Sequence, residues 1–384
     1  MTNRTRTTLA TAAALGVFAV SAAACSAPGE SSDSGKESSG PIKIAIVNAQ
    51  SGQLSSLGDW EAKGAKLAVA EWNKKGGVDG RKIKATVFDD QGDPTTGTNL
   101  ARKISNAKYT AMIGTAESAV TVAMAPVLQQ AKIPNITSGQ ATALVDAGSP
   151  YLFLNGPTST TYDVTLAKYL TSTKGYKKIA MISNNGSFGK GEHDAFLKAA
   201  KELGVTPVTD QIVTTDQKDF SAALSTIRQK KPDAIFIGSE EVEAGLIVKQ
   251  ARELGITAPF AGAAPQGTPV FAQTAGLKAS DGTIVSSPYL SNDTSAASKK
   301  FAAAYQAAYG KEAELHGAKA YDGTNILLTA LQATKGEGGQ KLADAIRATK
   351  YQGLLGDFAF DKTGVGIFKT TIGVIKDGKL TAAK

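Results

Sequence analysis

The sequence predicts an α/β protein of two similar lobes with parallel central sheets, and three observations carry that reading. Short runs rich in Ile, Val and Ala lack the polar alternation of half-exposed strands, so they belong to sheets covered on both faces. Stripes of apolar residues at i, i+3, i+4 and i+7 alternate with them, as in helices with one buried side. Strands of the second series recur roughly 28 residues apart, one strand-plus-helix unit. The chain has 384 residues, 42% hydrophobic and 20% charged, enough for two domains with sizeable cores and too apolar for general disorder.

Taken in order, Ile42 to Val47 is an apolar run broken only by Lys43, and so a covered strand. A helix follows from Leu57 to Lys75, with Ser56 and Asp59 as a capping box, a stripe of Ala65, Ala68, Val69 and Trp72, and Gly76-Gly77 as its stop. Strands at Ile83 to Asp89, Ala111 to Gly114 and Ile133 to Thr137 enclose helices at Thr95 to Ser105 and Ser118 to Ala131. Such a series makes a parallel sheet with right-handed crossovers. The second series has helix 159–173, strand Lys178 to Ile182, helix 188–203, strand Thr206 to Val213, helix 219–230, strand Ala234 to Gly238 and helix 241–254. The remainder, with a strand at Thr283 to Ser287, helices 295–309, 317–334 and 340–349, and strands at Phe358 to Phe360 and Thr370 to Ile375, is too small for a sheet of its own. It completes the two lobes, so the chain crosses between them more than once and builds a hinge.

The amino terminus has a separate character. Arg4 and Arg6 precede an uncharged Ala-rich stretch that closes on Ala22-Ala23-Ala24-Cys25, the layout of a secretory signal. Cys25, the only Cys of the chain, stands after three small residues in a pattern that resembles the lipobox of bacterial lipoproteins, where the Cys is acylated; Ala22 departs from the usual Leu. Residues 1–24 are thus expected to be a signal peptide, and 25–40, without a large apolar residue, a flexible tether at the cell membrane. The formal charge of +8 is spread in Lys pairs and not gathered into a tract, which argues against nucleic acid as a partner.

The signatures of catalysis are missing. Gly186 to Gly191 lacks Walker spacing, no GxGxxG follows a strand, and there is neither GxSxG nor HExxH. With two His and one Cys, no structural metal site and no cofactor are expected. His193 shares a helical face with Phe196, Ala200 and Leu203, which predicts a packed or half-buried role, and Leu57 and Trp60 read as packing more than as pocket.

Three stretches carry a resemblance: IKIAIVNAQSGQLSSLGDWEAKGAKLAVAEWNKKGGVDGRKIKATVFDDQGDP, IGTAESAVTVAMAPVLQQAKIPNITSGQAT and DFSAALSTIRQKKPDAIFIGSEEVEAGLIVKQARELGI. With the tail from Tyr321 to Thr371, nearly all of residues 41–384 resembles the leucine/isoleucine/valine-type, or type I, periplasmic binding proteins. The resemblance implies two Rossmann-like lobes, 41–157 plus 287–367 and 158–286 plus 368–384, joined by three crossovers near Gly156, Ser287 and Phe368. It also implies closure on a small polar ligand that is handed to an ABC permease in the membrane, with no enzymatic activity.

The same resemblance implies ligand-binding residues. Ser118, with Ala116 and Glu117 in the turn before it, matches a position that grips a ligand carboxylate. Gly139 matches a carbonyl that meets an ammonium; Ala141 stands where Thr is expected, with Thr142 beside it as a substitute. Phe188 and Glu240 replace customary Tyr residues, Ala264 replaces an acid that pairs with an α-ammonium, and His316 matches a position against the ligand side chain. Loss of the acid at 264 removes a charge-assisted hydrogen bond worth roughly 1.5–3 kcal/mol unless Glu117 or Glu240 replaces it. Glu117 beside Ser118 would repel a carboxylate there, so either it points outward or the head group is not a plain carboxylate. The expectation is a lipid-anchored, extracytoplasmic solute-binding component of an importer for an amino acid or an amino-acid-like compound. Rival readings are a ligand-sensing receptor module, an amide hydrolase using Ser118, His316 or Glu240, and a structural surface lipoprotein.

Overall fold

Both faces of the first strand are apolar, and the structure shows where each goes. The computed structural model describes residues 40–290 and 292–383; the signal and tether segments and Cys25 lie outside them. In β1 (Ile42–Val47), Ile42, Ile44 and Ile46 pack into one core cluster with Leu327 and Leu331, while Ala45 and Val47 pack into another with Met112, Val120 and Met124. Alternation therefore sorts residues between two buried faces and not between core and solvent. Each fully buried Ile is worth about 1.5–3 kcal/mol over an exposed one.

The first sheet runs β2-β1-β3-β4-β5, all parallel, from β1, β2 (Ile83–Phe88), β3 (Ala111–Gly114), β4 (Asn135–Thr137) and β5 (Leu152–Leu154). Between them lie α1 (Ser55–Lys74), α2 (Pro94–Asn106), α3 (Ser118–Gln130) and the short α4 (Ala143–Asp146). Asp93 caps α2 by accepting from the Thr96 N–H at 2.6 Å. The expected capping box of α1 does not form. Ser56 lies inside the helix and its hydroxyl donates to Glu241, whereas Asp59 accepts from Lys63 and Lys311.

After α5 (Ser159–Lys168) and one wide turn at Tyr169–Thr173, the second sheet takes up β6 (Ile179–Asn184), β7 (Thr209–Val213), β8 (Ala234–Gly238), β9 (Phe260–Gly262) and β10 (Ile284–Ser287). Helices α6 (Ser187–Glu202), α7 (Ser221–Lys230), α8 (Glu241–Glu253), α9 (Pro269–Ala275) and α10 (Leu277–Ser280) connect them. Then α11 (Ala296–Tyr309), α12 (Leu315–Ala333) and α13 (Gly339–Ala348) follow, with α11 and α12 packing on α1. A small antiparallel sheet of β11 (Lys350–Gly353), β12 (Gly356–Phe360) and β13 (Gly366–Ile367) corrects the expectation that the remainder forms no sheet; Tyr351, Phe358 and Phe360 cover it against α13 and Phe153. Finally β14 (Thr371–Lys376) and β15 (Lys379–Ala382) add antiparallel strands to the second sheet, in the order β15-β14-β10-β9-β8-β6-β7. The chain leaves the first sheet after Leu154, returns towards α1 after Ser287, touches the first sheet again at the Leu154–Val365 bridge, and re-enters the second sheet at β14. Among the described residues no helix is long and apolar enough to cross a membrane.

Candidate functional site

The carboxyl ends of both parallel sheets feed one cavity. In open α/β sheets that edge gathers loops and helix starts, where free N–H groups and short side chains converge. A cavity is bordered by Ala116 and Glu117 after β3, by Ser138 and Gln140 after β4, and by Leu57 of α1. From the second series come Phe188 at the start of α6, Glu240 before α8, and Ala264 and Pro265 after β9; α12 supplies His316 and Lys319. A larger outer cleft shares Glu117 and Glu240 with it and adds Asp216 and Glu243. The two carboxylates stand at the neck between the spaces.

Of the residues expected at a ligand site, Ala116, Glu117, Phe188, Glu240, Ala264 and His316 border the cavity. Ser118, Gly139, Ala141 and Thr142 do not. Ser118 is 1% exposed and its hydroxyl accepts from the Ala141 N–H at 3.3 Å, which fastens the start of α3 to the loop after β4. The Gly139 N–H is taken by the Thr137 hydroxyl at 3.0 Å, Ala141 is buried against the start of α6, and Thr142 is exposed. Glu117 does not point outward: it borders both spaces while accepting from the Ala119 N–H at 3.0 Å.

Pro265 and Lys319 were not anticipated, and Leu57 was assigned to packing. Lys319 had a signal in the sequence, since it lies one turn after His316 in the otherwise uncharged segment LHGAKA. Lys319 is 2% exposed and its ammonium donates to the Ser138 carbonyl at 2.8 Å. Burial holds its pKa down to about 8 despite Glu61, Glu314 and Glu192 nearby. His316 bonds Glu314 through Nδ1 at 2.9 Å; burial opposes its charge, but Glu314, Glu241 and Glu61 outweigh that and raise its pKa. Glu314 also accepts from the Gly317 N–H at 2.7 Å, which fixes the first turn of α12.

At the neck the field has the other sign. Burial, then Asp90 and Asp216, push Glu117 up to about 7. Burial, then Glu117 and Glu243, push Glu240 up to about 8, although the Asn184 amide donates to it at 2.5 Å. Among the described residues neither carboxylate forms an ion pair. The arrangement can hold a small polar molecule between an inner end bordered by His316 and Lys319 and a mouth bordered by Glu117 and Glu240.

A family model described as periplasmic binding protein matches residues 41–379. The Leu/Ile/Val-binding protein BraC3 of Rhizobium johnstonii is 28% identical over 326 residues, covering 84% of this chain and 88% of the relative. The Leu/Ile/Val-binding protein of Escherichia coli is 27% identical, covering 84% and 87%. Among solved structures, the branched-chain amino acid transporter substrate-binding protein LivJ of Streptococcus pneumoniae, in complex with isoleucine, superposes with a TM-score of 0.84 at 28% identity, covering 90% of this chain and 99% of that one. A Rhodopseudomonas palustris solute-binding protein in complex with benzoate shares the fold, with a TM-score of 0.81 at 22% identity over 89% and 95%.

Proposed function

Since the chain belongs to the periplasmic binding protein family, we propose that it captures an amino acid or an amino-acid-like compound outside the cytoplasm for an ABC importer, held to the membrane by acylated Cys25. The observation that supports this reading most is the cavity bordered by charged and polar groups from both strand series. Its relatives are named for binding branched-chain amino acids, and isoleucine occupies one of them. The lobes in this reading are 41–157 plus 287–367 and 158–286 plus 368–384, and they close because the ligand touches both only in the closed state. Ser56 to Glu241 and Gln140 to Glu192, the latter at 3.2 Å, are contacts between the two halves that closure would bring into place. Capture involves no bond making or breaking.

The test adds amino acids, amides, urea, polyamines and aromatic acids one at a time to the purified protein. A true ligand at about 100 times its Kd adds roughly 2.7 kcal/mol of stability and raises the melting temperature. The same ligand should reduce the radius of gyration in solution scattering. A panel without any thermal response would remove the binding-protein reading.

A further inference from the structure

We propose that the ligand is net cationic, with an ammonium or guanidinium group seated between Glu117 and Glu240 and an oxygen acceptor that meets Lys319. This rests on the solute-binding reading and narrows it.

Two carboxylates that follow strands of different sheets border both spaces, close enough for Glu117 to act on Glu240, and among the described residues neither forms an ion pair. In a half-buried setting their repulsion is only weakly screened, and a positive group placed between them turns it into attraction. The outer cleft adds Asp216 and Glu243, and among the described residues no Lys or Arg borders it, although the chain as a whole carries +8. Lys218, which donates to Gln53, acts on Glu243 from outside that lining. A negative mouth on a positive protein concentrates cations where they must enter and turns anions away. Among the described residues no three His, Cys, Asp or Glu side chains converge to hold a metal ion.

An independent observation lies at the inner end. Lys319 is 2% exposed, borders the cavity, and among the described residues makes one hydrogen bond, to the Ser138 carbonyl. An ammonium has three donors. Leaving two of them unmade in a buried site is costly, and an oxygen acceptor on the ligand supplies the missing partner. Between the two polar ends run Leu57, Phe188, Ala264 and Pro265, an apolar wall suited to a methylene stem.

The experiment measures calorimetric affinities of L-arginine, L-lysine and agmatine, which is arginine without its carboxylate, against L-leucine, L-isoleucine and benzoate. The expected result is that a cationic probe binds at least tenfold more tightly than leucine, and that Glu117→Gln and Glu240→Gln each weaken it at least tenfold. Lys319→Met should weaken L-arginine by a similar factor and leave agmatine unchanged, which also shows that the variant is folded. If leucine or benzoate binds as tightly as any cationic probe, or if both Gln variants bind the cationic probe normally, the cation assignment is wrong and the solute-binding reading survives. An agmatine loss equal to the arginine loss in Lys319→Met overturns the acceptor assignment. No heat with any probe overturns both.

Discussion

Glu117 and Glu240 show how one residue type changes role with its surroundings. As sequence, each is an acid just before a helix, where the macrodipole favours it. In the structure burial raises both, helped by Asp90 and Asp216 at Glu117 and by Glu117 and Glu243 at Glu240, to about 7 and about 8. A carboxyl whose folded pKa lies above its unfolded value of about 4.5 loses its proton later in the folded state, so stability falls as pH rises from near 4.5 through the folded pKa. Glu192, raised to about 7 by burial, acts in the same direction, while depressed Lys319 titrates near 8 and matters only above that. The ligand-free protein should therefore melt at a lower temperature at pH 8 than at pH 5. The double variant Glu117→Gln/Glu240→Gln should flatten that decline; a wild-type profile level across this interval contradicts the assignment. Lys319 itself was passed over because lysine normally marks solvent, and only packing of α12 turns it inward.

At the scale of elements, long covered strands and striped helices were legible, whereas three-residue strands such as β5 and β9 were not. Leu152–Leu154 and Phe260–Gly262 are too short to display a period, and only the neighbouring ladder defines them. The small sheet β11 to β13 escaped for a related reason, since its pattern is set by hairpin pairing and by the aromatic cover of Tyr351, Phe358 and Phe360. Element packing also sets a sharp steric limit. A Cβ on Gly64 of α1 would lie 2.1 Å from the Gly317 carbonyl oxygen of α12, so the two helices meet backbone to backbone. Gly64→Ala must push them apart and should cost about 1–3 kcal/mol, seen as a melting temperature several degrees lower. Because α12 carries His316 and Lys319, the same variant should weaken ligand binding as well. Unchanged melting would mean that α1 and α12 are not in close contact.

For the whole molecule, the two half-sites become a site only when the strand series face each other. Gln53 before α1 donates to Asp216 after β7 at 2.6 Å, Ser56 donates to Glu241, and Gln140 donates to Glu192. All three join residues far apart in sequence, and all are polar and few, as a contact that opens and closes requires. Acylation is the remaining large-scale expectation. Cys25→Ala should move the protein from the membrane fraction to the soluble fraction without altering ligand affinity. Retention in the membrane fraction would show that something other than Cys25 anchors it.

Residue order alone was enough to specify the α/β class and the two series, because covered strands and amphipathic helices write their periods into short stretches of chain. Which groups border the cavity was decided by tertiary packing. Ser118 turned inward to the Ala141 amide, Glu117 turned to the cavity, and Lys319 came in from a helix more than two hundred residues away in sequence. No local rule could assign those directions, since burial, charge and hydrogen-bond partners there come from segments that meet only after the chain has crossed between its sheets.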